Sequence, residues 1–251
     1  MSEVAAPPRA RSDAIDIARA LSLVAMTGYH LTWDLAYFHF IAAHAPFTPP
    51  MRFASHAIGS SFLFLVGVSL ALAHRRGTRW CAYFGRIGKI AAAAALVTVG
   101  SIAFAPDYAI WFGILHCIVA ASLIAALFLS APVGVATAAG IAAIVIGASV
   151  QSDAFNPPAL AWLGLGTDPP WTLDWRPLLP WAGATWIGLD ITRVLRARFA
   201  TAPFWTWRGP TRPARALAWL GRHSLAYYLL HQLVLFGILY PVAWALGPLP
   251  G

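Results

Sequence analysis

Charged residues are scarce in this chain of 251 residues, since they make up 10% of it and only nine of them are acidic. An average soluble domain has about 25% charged residues. So few charges cannot cover a soluble globule of this size. Disorder is excluded as well, because it requires low hydrophobicity and high charge, whereas 59% of this chain is apolar. The composition therefore predicts a polytopic integral membrane protein.

Cysteine and the common catalytic motifs are also scarce or missing. The two cysteines, Cys81 and Cys117, lie in or beside apolar segments, so we expect free thiols and no disulfide framework. No apolar stretch with a cleavage site precedes the first hydrophobic helix, so no cleaved signal peptide is expected. The sequence has no Walker loop, GxSxG, CxxC or dinucleotide motif. Its histidines lack metal-ligand spacing, so no metal is expected.

Long apolar segments are what the sequence does contain. A spanning helix needs roughly 20 mainly apolar residues, and seven segments qualify: 15–38, 53–73, 82–104, 108–129, 132–150, 176–195 and 222–246. We therefore expect an all-α fold of about seven transmembrane helices, forming a single domain over residues 1–251. The connecting parts would be a cytoplasmic tail at 1–12, an outer loop at 151–175 and a cytoplasmic interfacial linker at 196–215.

Basic residues collect in alternate connections, which predicts the orientation by the positive-inside rule. One set of connections, with the chain start, holds Arg9, Arg11, Arg75, Arg76, Arg79, Arg86, Lys89, Arg193, Arg196, Arg198, Arg208, Arg212 and Arg215. The other set holds only Arg52 and Arg176, together with Asp107, Asp153, Asp168 and Asp174. We expect a cytoplasmic N-terminus and an external C-terminus in a bacterial inner (plasma) membrane. Topology thus explains the net charge of +8, and no nucleic-acid partner is expected.

The first span carries two pairs of ionisable residues, which are costly in a membrane and thus candidates for function. Arg19 and His30 are eleven residues apart, so they share one helix face and lie roughly 16 Å apart along the axis. Asp16 and Asp34 lie within one turn of them. The pattern predicts that His30 is a base oriented by Asp34, and that Arg19 binds an anion. The alternatives are an interfacial ion pair and a structural hydrogen bond.

Three more histidines fall within predicted spans. His56 opens the second span near Ser60, His116 lies near the middle of the fourth, and His231 precedes Gln232 in the seventh. These residues are candidates to line a polar cavity. The alternative is that they are hydrogen-bonded groups of the core.

Five segments in this order resemble a known family: DAIDIARALSLVAMTGYHLTWDL, SSFLFLVGVSLALAHRRG, FGILHCI, PLLPWAGATWIGL and LGRHSLAYYLLHQ. They resemble the bacterial relatives of the heparan-alpha-glucosaminide N-acetyltransferase catalytic domain, over roughly residues 11–246. Arg19 and His30 are also similar to the Arg-x10-His pattern in the first helix of acyltransferase-3 membrane enzymes.

The resemblance implies transfer of an acyl group, in the first place acetyl, from cytoplasmic acyl-CoA to a sugar or another hydroxyl or amine acceptor. It implies that His30 is the catalytic histidine, which the spacing on the first helix pairs with Asp34, and that Arg19 lies near the CoA phosphates or thioester. The cofactor-binding candidates are Arg19, His116 and His231, and the substrate-cavity candidates are His56, Ser60 and Gln232. The lysosomal enzyme of this family uses a histidine on the loop after its first helix, so His39 and His44 are alternatives to His30 as the base.

Two other functions compete with the acyltransferase. A small-solute or lipid transporter would use the same polar interior without chemistry, and a structural subunit would not depend on His30. The expected partners are the lipid bilayer, acyl-CoA and a glycan acceptor, and homo-oligomerisation is left open.

Overall fold

The computed structural model describes residues 12–74 and 79–247, and these residues form helices and connecting loops without a strand. The predicted all-α fold is confirmed for this part of the chain. Four arginines used to predict the orientation lie outside the described residues: Arg9, Arg11, Arg75 and Arg76.

The helices follow one another along the chain as α1 (Asp13–Tyr37), α2 (Pro49–Ala73), α3 (Trp80–Phe104), α4 (Ile114–Phe128), α5 (Val135–Ser149), α6 (Pro158–Ala161), α7 (Leu178–Arg198), α8 (Arg212–Arg222) and α9 (Ser224–Leu246). Short 3-10 turns interrupt the connections at Ala45–Phe47, Pro106–Tyr108, Asp153–Phe155 and Pro203–Trp205.

Within the described residues, three helices are long and apolar enough to cross a membrane, namely α2, α3 and α9. Helices α4 and α5 are apolar but have 15 residues each, which is about 22 Å at 1.5 Å per residue. Helices α1 and α7 have 25 and 21 residues, but their carboxylates and arginines lower their hydropathy. The chain is therefore a membrane protein, and the count of seven crossings stays a prediction.

Several predicted boundaries are wrong. The segment 108–129 is not helical throughout, because a 3-10 turn beginning at Pro106 precedes it and α4 starts only at Ile114. The linker predicted at 196–215 is helical at both ends, since α7 runs to Arg198 and α8 begins at Arg212. Helix α8 was not predicted. Thr211 caps it by accepting the backbone N–H of Ala214.

Close backbone packing holds α7 against its two main neighbours. A Cβ added to Gly67 of α2 would lie 1.9 Å from the carbonyl oxygen of Thr185. On the other side, a Cβ on Gly140 of α5 would lie 2.9 Å from the carbonyl oxygen of Gly183. Small residues at such contacts let helix backbones approach, as is usual between membrane helices.

Contacts between the helices fix their relative directions. Helices α1 and α9 run parallel, since Thr27 in the middle of α1 meets Tyr227 near the start of α9. Farther along, Phe38 at the end of α1 meets Tyr240. Helices α2 and α7 also run parallel, whereas α5 runs antiparallel to α7. One end of the bundle thus carries the start of α1, the α2–α3 connection, the end of α7 and α8. We call it the arginine-rich end, and the opposite end, with residues 150–177, the loop end.

Two buried carboxylates tie the connections together at the arginine-rich end. Asp13 accepts hydrogen bonds from Arg208 and Arg222, at 3.2 and 3.3 Å. Asp190 pairs with Arg193 at 3.0 Å and also accepts two backbone N–H groups at the start of α5. Paired and hydrogen-bonded in this way, both carboxylates have their burial compensated. They are structural anchors.

Candidate active site between helices α1 and α9

The polar residues of α1 form two clusters, and the first lies at the arginine-rich end. The guanidinium of Arg19 donates to the carboxylate of Asp16 and to the hydroxyl of Ser69 on α2, each at 2.6 Å. The Asp16 side chain is 1% exposed, and that of Arg19 is 19% exposed. Asp16 is thus the counter-ion that the spacing on α1 predicts, and Arg19 is held between α1 and α2.

A groove runs along α1 and α2 beyond this first cluster. Its volume is about 540 Å³, and its lining is mostly apolar, with Leu21 and Phe64 among the side chains. Ser22 and Ser61 approach each other in it, with their hydroxyl oxygens 2.9 Å apart. Ser60, a predicted cavity residue, lines the same groove. The volume is within the range of small-molecule sites.

The second cluster lies farther along α1, where α9 packs beside it. The ring centroids of His30 and His231 are 5.0 Å apart. One turn earlier, the hydroxyl oxygens of Thr27 and Tyr227 are 2.8 Å apart. Because α1 and α9 run parallel, residues from both ends of the sequence meet in pairs, and two of the predicted site residues become neighbours.

Asp34 belongs to this second cluster but has another partner than expected. Its Oδ1 accepts a hydrogen bond from the side-chain amide of Gln232 at 2.7 Å. Among the described residues, His30 and Asp34 are not joined by a hydrogen bond. The carboxylate therefore orients Gln232 of α9, and the predicted orientation of His30 by Asp34 is absent from this arrangement.

Three buried polar atoms of the cluster have no hydrogen-bond partner within the described chain: Asp34 Oδ2, His231 Nε2 and Gln232 Oε1. The Nδ1 atom of His231 donates to the carbonyl oxygen of Tyr228 at 2.6 Å. The neutral ring thus has its lone pair on Nε2. Since Gln232 donates through its amide nitrogen, Oε1 is an acceptor too. Unpaired buried polar atoms are uncommon in folded proteins and call for an explanation.

His56 lies in a separate group toward the loop end. Its ring stacks on Trp181 of α7 at 5.4 Å, and its Nδ1 bonds to the carbonyl oxygen of Arg52. Arg176 lies over the same indole at 4.7 Å and donates to the hydroxyl of Ser55. Arg176 thus belongs to the His56 group near the loop end.

His116 lies in the first turn of α4 and not near the middle of a helix, because α4 begins at Ile114. Its Nδ1 accepts the backbone N–H of Gly113 at 3.2 Å, so Nε2 carries the proton and donates to Thr98 at 3.3 Å. Both ring nitrogens are thus paired. No ring contact or hydrogen bond within the described residues joins His116 to His30 or His231.

The two alternative bases lie on the connection between α1 and α2. His39 follows the end of α1 with a positive φ of 60°, and His44 precedes the 3-10 turn at Ala45–Phe47. Both side chains are exposed. Neither contributes to the cluster between α1 and α9.

Sequence reasoning missed the contributions of Arg176 and Tyr227. Arg176 is one of only two arginines in the aspartate-bearing connections, and that isolation is the signal that could have singled it out. Tyr227 stacks on His231, with ring centroids 6.2 Å apart. It lies four residues before His231, so its position on the same face of α9 was available from the spacing.

No group of three or more His, Cys, Asp or Glu side chains in the described ranges could hold a metal ion. The site is thus built from imidazoles, a carboxylate, an amide and hydroxyls.

The comparison with known families gives the same answer as the sequence motifs. The model of heparan-alpha-glucosaminide N-acetyltransferase, catalytic, matches residues 11–233. The chain belongs to this family. No curated protein and no solved structure matches the chain. The resemblance drawn from the motifs is confirmed, and the protein is a member of a family of membrane acetyltransferases.

The heparan-alpha-glucosaminide N-acetyltransferase match covers every candidate site residue, from Arg19 on α1 to Gln232 on α9, and ends one residue after Gln232. The acetyltransferases of this family generally use acetyl-CoA. Both clusters on α1 and the groove between them therefore lie within the part of the chain that defines the family.

Proposed function

We propose that this protein transfers an acetyl group from cytoplasmic acetyl-CoA to the hydroxyl or amine of a sugar-like acceptor, at the cluster between α1 and α9. His30 acts as the general base. His231, Asp34 and Gln232 bind the acceptor, and Arg19 holds the donor. His56 and Ser60 line the routes into the site, whereas the fully paired His116 supports the start of α4.

The observation that carries this proposal is the chemical character of the three unpaired buried atoms. In the ionised carboxylate, the neutral imidazole and the amide oxygen, all three are hydrogen-bond acceptors. A ligand that satisfies them must bring donors, as a polyol or an amino sugar does. A carboxylate or phosphate substrate would bring only further hydrogen-bond acceptor oxygens. It would leave the three protein atoms unpaired, at a cost of about 1–3 kcal/mol each.

The proposed reaction is a direct transfer. Neighbouring hydroxyl or amine groups of the acceptor donate to His231 Nε2 and Asp34 Oδ2, while the reacting hydroxyl or amine passes its proton to His30. The acceptor oxygen or nitrogen forms a bond to the thioester carbonyl carbon, and a tetrahedral intermediate results. Its collapse breaks the carbon–sulfur bond, and the CoA thiolate leaves with the proton that His30 held. Positioned proton transfer of this kind contributes about 10²–10⁴-fold to a rate.

Arg19→Lys is expected to weaken acetyl-CoA binding, because an ammonium cannot reproduce the planar contacts of a guanidinium. Arg193→Lys is a matched control, since Arg193 also pairs with a 1% exposed aspartate three residues earlier. Isothermal titration with CoA, alongside thermal unfolding of both variants, measures the effect. Equal CoA affinity in the two variants would reduce Arg19 to a structural ion pair.

For the topology, we propose one transmembrane domain that crosses a bacterial inner membrane seven times. The alternating directions of α1, α2, α5, α7 and α9 support an odd number of crossings. A reporter fused after Gly251 is expected to be external, and one inserted at Gly77 cytoplasmic. Alkaline phosphatase and fluorescent-protein fusions measure this. A cytoplasmic reporter after Gly251 would mean an even number, with the 15-residue α4 or α5 not crossing.

Acetyl-CoA turnover by the purified protein tests the function. We expect release of the CoA thiol that depends on an amino sugar or polyol acceptor and yields the acetylated product. The transporter alternative predicts no thiol release with any acceptor but uptake of solute into proteoliposomes. Uptake without turnover would contradict the proposed function.

A further inference from the structure

A small pocket with a basic rim lies at the arginine-rich end, between α2, α3 and α4. Its volume is about 110 Å³, and its polar and charged lining consists of His74, Arg79, Tyr83, Arg86 and Ser122. No carboxylate is among the residues that line it. The pocket is thus a concave site with two guanidinium groups and an imidazole.

The carboxylates described at this end of the bundle are bound elsewhere. Asp13 binds the arginines of the α7–α8 connection and α8, Asp16 binds Arg19, and Asp190 binds Arg193. Nine acidic residues stand against seventeen basic ones in the whole chain. The lining of the pocket is therefore basic and contains no acidic side chain.

Two side chains that line the pocket are fixed by hydrogen bonds. His74 donates from Nδ1 to the carbonyl oxygen of Leu70 at 2.8 Å, which satisfies one carbonyl at the end of α2. Its Nε2 can donate to an anion when the ring is protonated. The buried Tyr83 donates its hydroxyl to the carbonyl oxygen of Ser122 and contacts the ring of His74 at 5.2 Å. Such pre-organisation lowers the cost of binding.

We propose that this pocket binds a phosphate group, and specifically a phosphate of the nucleotide part of acetyl-CoA. Arginine is suited to the task because its planar fork matches phosphate oxygens. The first turn of α3, which includes Ala82 of the lining, adds the positive end of a 25-residue helix. The assignment to the donor rests on the proposed function. An anionic lipid headgroup has the same chemistry.

The position of the pocket agrees with a donor that reaches toward His30. Leu70 lines the pocket, and Ser69, which precedes it on α2 and points about 100° away around the helix, holds Arg19. From there the groove with Ser22 and Ser61 follows α1 toward the second cluster. A donor whose nucleotide binds at Arg79 and Arg86 would pass Arg19 on its way to His30.

Binding to the full-length protein in nanodiscs tests the inference without requiring turnover. The probes are adenosine 3′,5′-bisphosphate, which lacks the acyl arm, and nanodiscs with or without phosphatidic acid. We expect Arg79→Gln and Arg86→Gln each to weaken bisphosphate binding at least tenfold, and Arg86→Lys to retain part of it. Arg215→Gln is the control for charge, since Arg215 is exposed on α8 at the same end.

Loss of bisphosphate binding in the pocket variants supports a nucleotide phosphate site. Pocket variants that keep their bisphosphate affinity, but no longer respond to phosphatidic acid in the nanodisc as the wild type does, also support a phosphate site and assign it to lipid. Unchanged affinity in both arms, with thermal unfolding showing folded variants, overturns the inference. If the wild type binds the bisphosphate through Arg79 and Arg86 but never turns over acetyl-CoA, the phosphate site stands and the proposed function fails.

Discussion

Replacement of His30 by alanine is expected to reduce acetyl-transfer turnover by about 10²–10⁴-fold, the usual contribution of a positioned general base. The affinity for CoA should change little, because the lost interaction acts in the transition state. An imidazole suits this role because one ring nitrogen can accept a proton while the other keeps its hydrogen. Release of the CoA thiol under saturating donor measures the effect.

His30→Gln separates proton transfer from packing. The glutamine keeps hydrogen-bonding atoms beside His231 but cannot take the proton, so it should be nearly as slow as His30→Ala. His39→Ala and His44→Ala are the matched controls, because both imidazoles are exposed and outside the cluster. Normal turnover in His30→Ala, together with an inactive His39→Ala or His44→Ala, would place the base on the loop between α1 and α2.

Gly67→Ala is expected to cause a large loss of stability. The new Cβ would lie 1.9 Å from the carbonyl oxygen of Thr185 and 2.7 Å from the backbone nitrogen of Leu189. Both are backbone atoms of α7, so α2 and α7 must move apart. Overpacking typically costs about 1–3 kcal/mol, and a clash with a neighbouring backbone should cost at least this much. Thermal unfolding in one detergent measures the change.

Gly100→Ala on α3 is the control for the Gly67 variant. No atom lies within 4 Å of a Cβ at Gly100, so the substitution should only add helix propensity, worth about 0.5–1 kcal/mol. Its melting temperature should equal or exceed that of the wild type. Equal melting temperatures for the two variants would contradict the tight packing of α2 against α7.

The sequence predicts those parts of the site that depend on one helix. Helical periodicity places Arg19 and His30 on one face of α1, and Asp16 within reach of Arg19, as the ion pair at 2.6 Å bears out. Contacts between helices are different, because periodicity carries no information about which helix packs against which. The bond from Gln232 to Asp34 joins residues 198 positions apart, and only the packing of α9 on α1 reveals it.

Helix ends were harder to predict than helix existence. Hydropathy alone extends the fourth segment over 108–129, whereas Asp174, far along the chain, accepts the backbone N–H of Ile114 and marks the start of α4. Helix α8 escaped prediction because its arginines lower its hydropathy, although its apolar residues recur at helical spacing. Membrane-span reasoning scores mean hydropathy and therefore misses an amphipathic helix.

A structure of the His30→Gln variant with acetyl-CoA and an amino sugar tests the central claim most directly. The account predicts that the thioester carbonyl lies within hydrogen-bonding range of position 30, and that the sugar donates to Asp34, His231 and Gln232. The nucleotide should lie toward the arginine-rich end. A donor thioester beside His39 or His44, or a sugar away from α9, would contradict the assignment of the active site to the cluster between α1 and α9.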